Sequence, residues 1–190
     1  MSIGSLLVAM ALVAAACSSD LDAARKLEKS GDFGGAIALY QTILKDDSKK
    51  IEALRALGAD LMIEGKYDEA LPIQEKTVSL DSRDSQTRVE LGFNYLNHQN
   101  RPGDAVQVLR EAVKVDGSAK NLTFLAQAEV VNNDPTGAEA SLRQAIATDP
   151  KYPHAYGVLR DLLVKLGRTQ DAAQVEDAAR QQGVTLESSQ

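Results

Sequence analysis

The sequence predicts an all-α protein assembled from about five copies of one helix-turn-helix unit. Three observations predict this fold class. Apolar residues recur at three- and four-residue spacing, as they do on one face of an amphipathic helix. A local pattern centred on an alanine recurs at a nearly constant interval along the chain, and a glycine or an asparagine separates the two helical stretches of each copy. The recurring alanines are Ala36, Ala70, Ala105, Ala138 and Ala172.

The composition agrees with a helical protein and excludes several other classes. Tryptophan is absent and aromatic residues make up 4% of the 190 residues, which favours helices packed through small residues over a β-sandwich. The formal net charge of −6 leaves no basic surface of the kind that nucleic acid requires. The single cysteine excludes a disulfide within the chain.

The second copy carries the fullest form of the repeated pattern. It reads Leu54-x-x-Leu57-Gly58-x-x-Leu61, and a stretch from Gly65 to Ala70 follows it. The later copies repeat the pattern in Leu91-Gly92-x-x-Tyr95, Leu122-x-x-Leu125-Ala126 and Tyr156-x-x-Leu159. The period and these residues resemble the tetratricopeptide repeat (TPR). A plain helical bundle, the alternative for a pattern rich in leucine and alanine, does not predict a fixed period.

The resemblance implies a right-handed superhelical solenoid that occupies residues 17–190. Its units are expected at about 17–50, 51–84, 85–118, 119–152 and 153–186. Small residues such as Ala70 and Ala138 should let the two helices of a unit approach closely. Pro102 and Pro135 should lie near the start of a second helix, where a missing N–H group costs nothing. The left-handed conformation that ends a helix is expected at Gly31, Gly65, Asn100, Asn133 and Gly167.

The resemblance also implies a binding surface for a protein partner. In this family the first helices of the units line a concave groove that holds peptides or partner segments. The corresponding positions give a groove with an apolar middle and two arginines toward its N-terminal end. They are Leu21, Arg25, Arg55, Met62, Ile63, Val89, Phe93, Asn97, Gln127, Val130, Val131, Asp161 and Lys165. The alternative is that packing between adjacent units covers some of these side chains.

One version of the family groove is not matched. It holds a C-terminal carboxylate with lysine, asparagine and arginine at set positions, where this chain has Leu21, Arg25, Arg55 and Ala59. Recognition of chaperone tails of that type is therefore not expected.

No pattern of residues indicates catalysis. His98 and His154 lie in different copies, and neither has a cysteine at metal-ligand spacing. The sequence has neither a Gly-x-Ser-x-Gly elbow nor a glycine-rich phosphate loop with a lysine. We therefore expect a protein that is not an enzyme, with no catalytic residue, metal or cofactor.

The segment from Met1 to Ala16 predicts a targeting signal. It contains no charged side chain, and its apolar run of about 14 residues is shorter than the roughly 20 that a membrane-spanning helix needs. The sequence Val13-Ala14-Ala15-Ala16-Cys17 resembles the end of a bacterial lipoprotein signal peptide, in which the cysteine becomes the lipidated N-terminus. Ser18 after the cysteine implies sorting to the outer membrane, on its periplasmic face. The alternative is an apolar N-terminal helix with an incidental buried cysteine.

Together these features suggest a scaffold in the bacterial envelope. TPR lipoproteins of this size resemble the assembly factors of type IV and tight-adherence (Flp) pili. That resemblance implies a secretin or another pilus or secretion assembly subunit as the partner. The alternative function is a soluble periplasmic or cytosolic adaptor or chaperone with no lipid anchor.

Overall fold

The computed structural model describes residues 20–186, and within that range every regular element is an α-helix. The predicted all-α fold class is confirmed. Residues 1–16 and Cys17, the expected signal and lipidation site, lie outside the described residues. The first helix, α1, covers residues 20–30. It is followed by α2 (Phe33–Asp46), α3 (Ile51–Ile63), α4 (Tyr67–Leu80), α5 (Ser85–Asn97), α6 (Pro102–Val115), α7 (Ala119–Val131), α8 (Pro135–Thr148), α9 (Pro153–Lys165) and α10 (Thr169–Gln181).

The helices belong to two compact units. Unit 1 ends at Ser82 and contains α1–α4, and unit 2 begins at Arg83 and contains α5–α10. In each unit a helix packs mainly against its neighbours along the chain. Between residues 20 and 186, no helix combines the length and the apolar character that crossing a membrane requires.

The turns inside the helix pairs adopt the left-handed backbone that the sequence predicts. The five predicted residues have φ values between 50° and 82°, so this prediction is confirmed. At the end of α7, the backbone N–H of Asn133 donates to the carbonyl oxygen of Val130 at 3.1 Å, and the N–H of Asp134 donates to that of Glu129 at 2.8 Å. These bonds satisfy carbonyl groups that a helix end otherwise leaves without partners.

The starts of the second helices also follow the sequence prediction. Pro102 and Pro135 are the first residues of α6 and α8, which confirms their predicted position. At α8 the Asp134 carboxylate accepts a hydrogen bond from the backbone N–H of Gly137 at 2.9 Å, and at α2 the Asp32 carboxylate does the same for Gly35 at 2.9 Å. These side chains cap helix N-termini, where the first N–H groups have no partner within the helix.

The recurring alanines lie in the cores, where the two helices of a pair meet. Four of the five have no exposed surface, and Ala172 is 4% exposed. In unit 2, Ala126 and Ala138 belong to one apolar cluster with Leu142, Leu159 and Leu163. The small residues therefore stand where the sequence expects close approach of two helices.

Candidate functional site: a groove on the first helices of unit 2

The first helices of the three pairs in unit 2 line a groove. Helices α5, α7 and α9 begin at equivalent positions of successive repeats, and α7 contacts both α5 and α9. The groove has a volume of about 490 Å³, within the range of pockets that bind small molecules. It is lined by Phe93, Leu96, Asn97, Gln127, Val130, Val131, Val158, Asp161, Leu162 and Lys165.

The floor of the groove is apolar and continuous with the core of unit 2. Leu162 is 5% exposed, and Val130 and Val158 pack against the same buried cluster. The Phe93 ring meets the Phe124 ring edge to face, with 4.8 Å between centroids and 75° between planes. This geometry is a favoured one for aromatic pairs, so α7 holds the Phe93 wall in a fixed orientation.

The rim of the groove lies at the C-terminal ends of the same three helices. Asn97, Val131 and Lys165 are the last residues of α5, α7 and α9. The side chain of Val131 is prominent, because this residue is 60% exposed. An apolar side chain this exposed at the mouth of an apolar groove is the kind of feature that marks an interaction surface.

The polar groups on the groove wall are partly engaged with neighbouring side chains. The Gln127 Nε2 atom lies 3.2 Å from the His154 Nε2 atom. The Asp161 Oδ1 atom accepts hydrogen bonds at 2.9 Å from both the Nε and the NH2 groups of Arg160. Since the Arg160 side chain is only 9% exposed, the Asp161 carboxylate is fixed beside a buried guanidinium group.

Seven of the residues predicted from the family resemblance meet in this groove. They are Phe93, Asn97, Gln127, Val130, Val131, Asp161 and Lys165. Three further lining residues, Leu96, Val158 and Leu162, were not predicted from the sequence. Their helical spacing is that of core residues, and no sequence signal separates a core leucine from one that also reaches a groove wall.

The predicted residues of unit 1 have other surroundings. Arg25 forms ion pairs with Asp22 and Glu52, and Arg55 forms one with Asp81. Met62 packs, partly buried, against the core of unit 1. Ile63 is 59% exposed. Among the predicted groove residues of unit 1, it therefore presents the most apolar surface to solvent.

Two predicted groove residues are closed to a partner. Leu21 is 5% exposed and Val89 is 6% exposed. For these two side chains the structure supports the alternative reading, in which packing between helices covers them. Leu21 belongs to the apolar core of unit 1.

The two histidines lie at helix ends. His98 is the C-cap residue of α5, and His154 is the second residue of α9. In the part of the chain from 20 to 186, no three histidine, cysteine or acidic side chains are arranged to hold a metal ion.

A second hollow of about 290 Å³ lies among α8, α9 and α10. Beside it, Glu139 accepts a hydrogen bond from the Arg168 NH1 group at 2.5 Å and from the Arg143 NH2 group at 2.7 Å. Arg168 also donates from its Nε to Asp171 at 2.7 Å. The hydrogen bond from Arg168, and to a lesser extent the one from Arg143, holds the pKa of Glu139 below its ordinary value. Two arginines therefore face two carboxylates, which leaves no net charge to attract an ion.

Comparison with known proteins identifies the repeat. Family models described as tetratricopeptide repeat match residues 21–85 and 130–185, which together make up more than half of the chain. No curated protein matches the sequence.

Several solved structures share the fold. A crystal structure of MamA is 23% identical, covers 87% of this chain and 91% of its own, and superposes with a TM-score of 0.80. MamA from Desulfovibrio magneticus RS-1 is 16% identical, with coverage of 88% and 94% and a TM-score of 0.79. YrrB, described as a TPR protein with an unusual peptide-binding site, is 18% identical, with coverage of 86% and 84% and a TM-score of 0.74. At these sequence identities the similarity shows a shared fold and nothing beyond it.

Proposed function

The chain belongs to the tetratricopeptide repeat family, and from that premise we propose that it is a protein–protein interaction scaffold whose unit 2 groove holds a partner segment. The observation that carries this proposal is the apolar groove across α5, α7 and α9, with Val131 exposed at its rim. Grooves of this kind bind partner segments through apolar anchors. The peptide-binding site described for YrrB is consistent with this use of the fold. We propose no catalytic step.

The scaffold acts at the outer membrane, on its periplasmic face, held by a lipid on Cys17. Two features of the sequence support this part of the proposal: the apolar run of residues 1–16 and the small residues that precede Cys17. Stable anchoring takes more than one acyl chain, and a lipoprotein cysteine that carries both diacylglyceryl and N-acyl groups meets that requirement. The partner is then a secretin or another subunit of a pilus or secretion machine, of the tight-adherence (Flp) or type IV kind.

Site-specific photo-crosslinking tests the groove. A photoreactive phenylalanine analogue at position 131 should give a discrete adduct with one protein in cells. The same analogue at Ala173, which is exposed on α10 and does not line the groove, is the matched control. A distinct adduct from position 131 that is absent from position 173 supports the scaffold. Identical adduct patterns from both positions would contradict it.

Metabolic labelling with palmitate tests the anchor. The wild-type chain should incorporate label and the Cys17→Ser variant should not. A wild-type chain without label would overturn the anchored reading and favour the alternative, an adaptor or chaperone that has no anchor. The two experiments test different parts of the proposal, the groove and the anchor.

A further inference from the structure

We propose that unit 1 contains a closure operated by one proton: the protonated Asp60 side chain holds the α1–α2 pair against α3, and the ionised side chain releases the pair. The inference goes beyond the function proposed above and depends on neither the groove nor the anchor. Three properties of unit 1 support it. They are the burial of Asp60 without a hydrogen-bond partner, the sign of the charges that face it, and the bond that joins α1 to α2.

Asp60 lies where a carboxylate is costly. Its side chain is 3% exposed, and its Oδ2 atom has no hydrogen-bond partner among the described residues. Removing a charged group from water without a partner costs far more than removing a neutral one, so the folded arrangement favours the protonated acid. Asp60 is the fourth residue from the end of α3, and the same places in α5 and α7 hold Asn94 and Ala128. Both are fully buried, and neither can ionise.

The charges that face Asp60 are negative. Glu28 faces it from α1, and Glu64, the C-cap residue of α3, faces it from its own helix. From α2 comes the Tyr40 hydroxyl, whose own pKa is raised by burial and by Glu28. No titratable group of α4 acts on Asp60 within the described residues. Burial, and then Glu28 and Glu64, raise the pKa of Asp60 from 3.8 to about 6.

A hydrogen bond joins α1 to α2. The Tyr40 hydroxyl donates to the Glu28 Oε1 atom at 2.7 Å, and Tyr40 is 1% exposed. The bond fixes the Glu28 carboxylate on the pair, so α1 and α2 should separate from α3 together. Repulsion between Glu28 and an ionised Asp60 then acts at the boundary between the α1–α2 pair and α3.

The contacts that close this boundary are mainly apolar. Leu21 and Ile37 of the pair belong to one buried cluster with Leu57 of α3. An ion pair between Arg25 and Glu52 also joins α1 to α3, but both side chains are about half exposed, and exposed pairs contribute little to stability. The charge of Asp60 therefore opposes an apolar contact that has little electrostatic support.

Release of the pair amounts to local unfolding. Helix α1 covers residues 20–30 and α2 has 14 residues, and isolated helices of this length are marginal in water. Because the closed form binds the proton of Asp60 more tightly than the released form, opening should become about tenfold easier per pH unit between about pH 4 and pH 6 and level off above that, roughly a hundredfold in all. With a lipid on Cys17 as proposed above, the released residues would lengthen the tether to the membrane.

Hydrogen exchange of the full chain from pH 4 to pH 8 tests the closure. Protection factors are obtained for the amides of α1 and α2 and for those of α4, after correction for the intrinsic pH dependence of exchange with an unstructured peptide. Asp60→Asn introduces the side chain that the next repeat has at this place. Glu28→Gln keeps an acceptor for the Tyr40 hydroxyl and removes one facing charge. Asp46→Asn, which replaces an exposed carboxylate of α2, is the matched control.

We expect the protection of α1 and α2 in the wild type to fall by roughly a hundredfold between pH 4 and pH 7, most of it below about pH 6. The Asp46→Asn control should show the same fall and Asp60→Asn none. Glu28→Gln should show a smaller fall, because one of the two charges that face Asp60 is gone. The amides of α4 should keep their protection.

Several results would overturn the closure. One is a wild-type profile that is level with pH, and another is a fall that Asp60→Asn retains. An equal fall in α4 would mean that unit 1 opens as a whole, without separate release of the pair. If Asp60→Asn does not fold, Glu28→Gln decides, and a fall as large as that of the wild type refutes the role of the facing charges. None of these results bears on the groove, which photo-crosslinking at position 131 tests separately.

Discussion

Gly92 on α5 faces Leu109 on α6 so closely that a Cβ atom at position 92 would lie 2.7 Å from the Leu109 Cγ atom. Leu109 is 1% exposed, so its side chain has little room to move. The approach of the two helices therefore depends on the absence of a side chain at position 92. Gly157 on α9 is a natural comparison, because a Cβ atom there would meet nothing within 4 Å.

We predict that Gly92→Ala lowers the free energy of unfolding by about 1–3 kcal/mol, the usual cost of inserting a methyl group into a packed core. Urea denaturation measures the change. The control, Gly157→Ala, should leave stability unchanged or raise it by up to about 1 kcal/mol, since alanine is the better helix former. Equal effects of the two substitutions would mean that α5 and α6 do not meet at Gly92.

We predict a similar difference between two alanines on α8. Ala138 has no exposed surface, whereas Ala140 is exposed. Ala138→Leu should overpack the core of unit 2 and lower the free energy of unfolding by about 1–3 kcal/mol. Ala140→Leu should change it by no more than about 0.5 kcal/mol. Thermal unfolding of the two variants beside the wild type distinguishes them, and equal stability would contradict the packing of Ala138 between helices.

The fold could be predicted from the sequence because each repeated residue has a local physical reason for its position. Gly65 and Asn133 stand where the backbone is left-handed, and Pro135 stands where a helix begins. Ala138 stands where two helices touch. A single residue of these types has little predictive value, but their recurrence at one period fixes the order of the helices.

The site was predictable only in part, because exposure depends on contacts between helices that are distant in sequence. Arg25 and Arg55 have basic side chains at groove positions, yet each is paired with a carboxylate 26 or 27 residues further along the chain. Val89 also has a groove position, yet packing leaves it 6% exposed. The position of a residue in the repeat gives the helix face it occupies, and the neighbouring residues determine whether that face is open.

We predict that the ion pair between Glu139 and Arg168 stabilises unit 2 at neutral pH and not in acid. Hydrogen bonds from Arg168 and Arg143 lower the pKa of Glu139. The stabilisation is therefore fully present above the ordinary glutamate pKa of 4.5 and is lost as the pH falls through the lowered value. A double-mutant cycle with Glu139→Gln and Arg168→Gln, measured by urea denaturation at pH 7 and pH 3, should give a favourable coupling only at pH 7. A coupling that is the same at both values would contradict this account.

We predict the opposite pH dependence for Asp60 in unit 1. Asp60 is 3% exposed, and its Oδ2 atom has no hydrogen-bond partner among the described residues. Burial, followed by the nearby charges of Glu28 and Glu64, raises its pKa from 3.8 to about 6. The folded state therefore binds this proton more tightly than the unfolded state, and stability falls as the pH rises from about 4 to about 6.

The raised pKa of Asp60 lowers the free energy of unfolding by at most roughly 3 kcal/mol between about pH 4 and about pH 6, because one pKa unit is worth about 1.4 kcal/mol. Asp60→Asn cannot ionise and should remove this contribution, whereas Asp46→Asn, which replaces an exposed carboxylate of the same unit, should retain it. Carboxyl ¹³C NMR titration of the wild type measures the pKa of Asp60 directly, and urea denaturation from pH 4 to pH 7 measures the slope. An Asp60 that titrates near 4, or a slope that Asp60→Asn leaves unchanged, would show that its carboxylate is solvated in the folded protein.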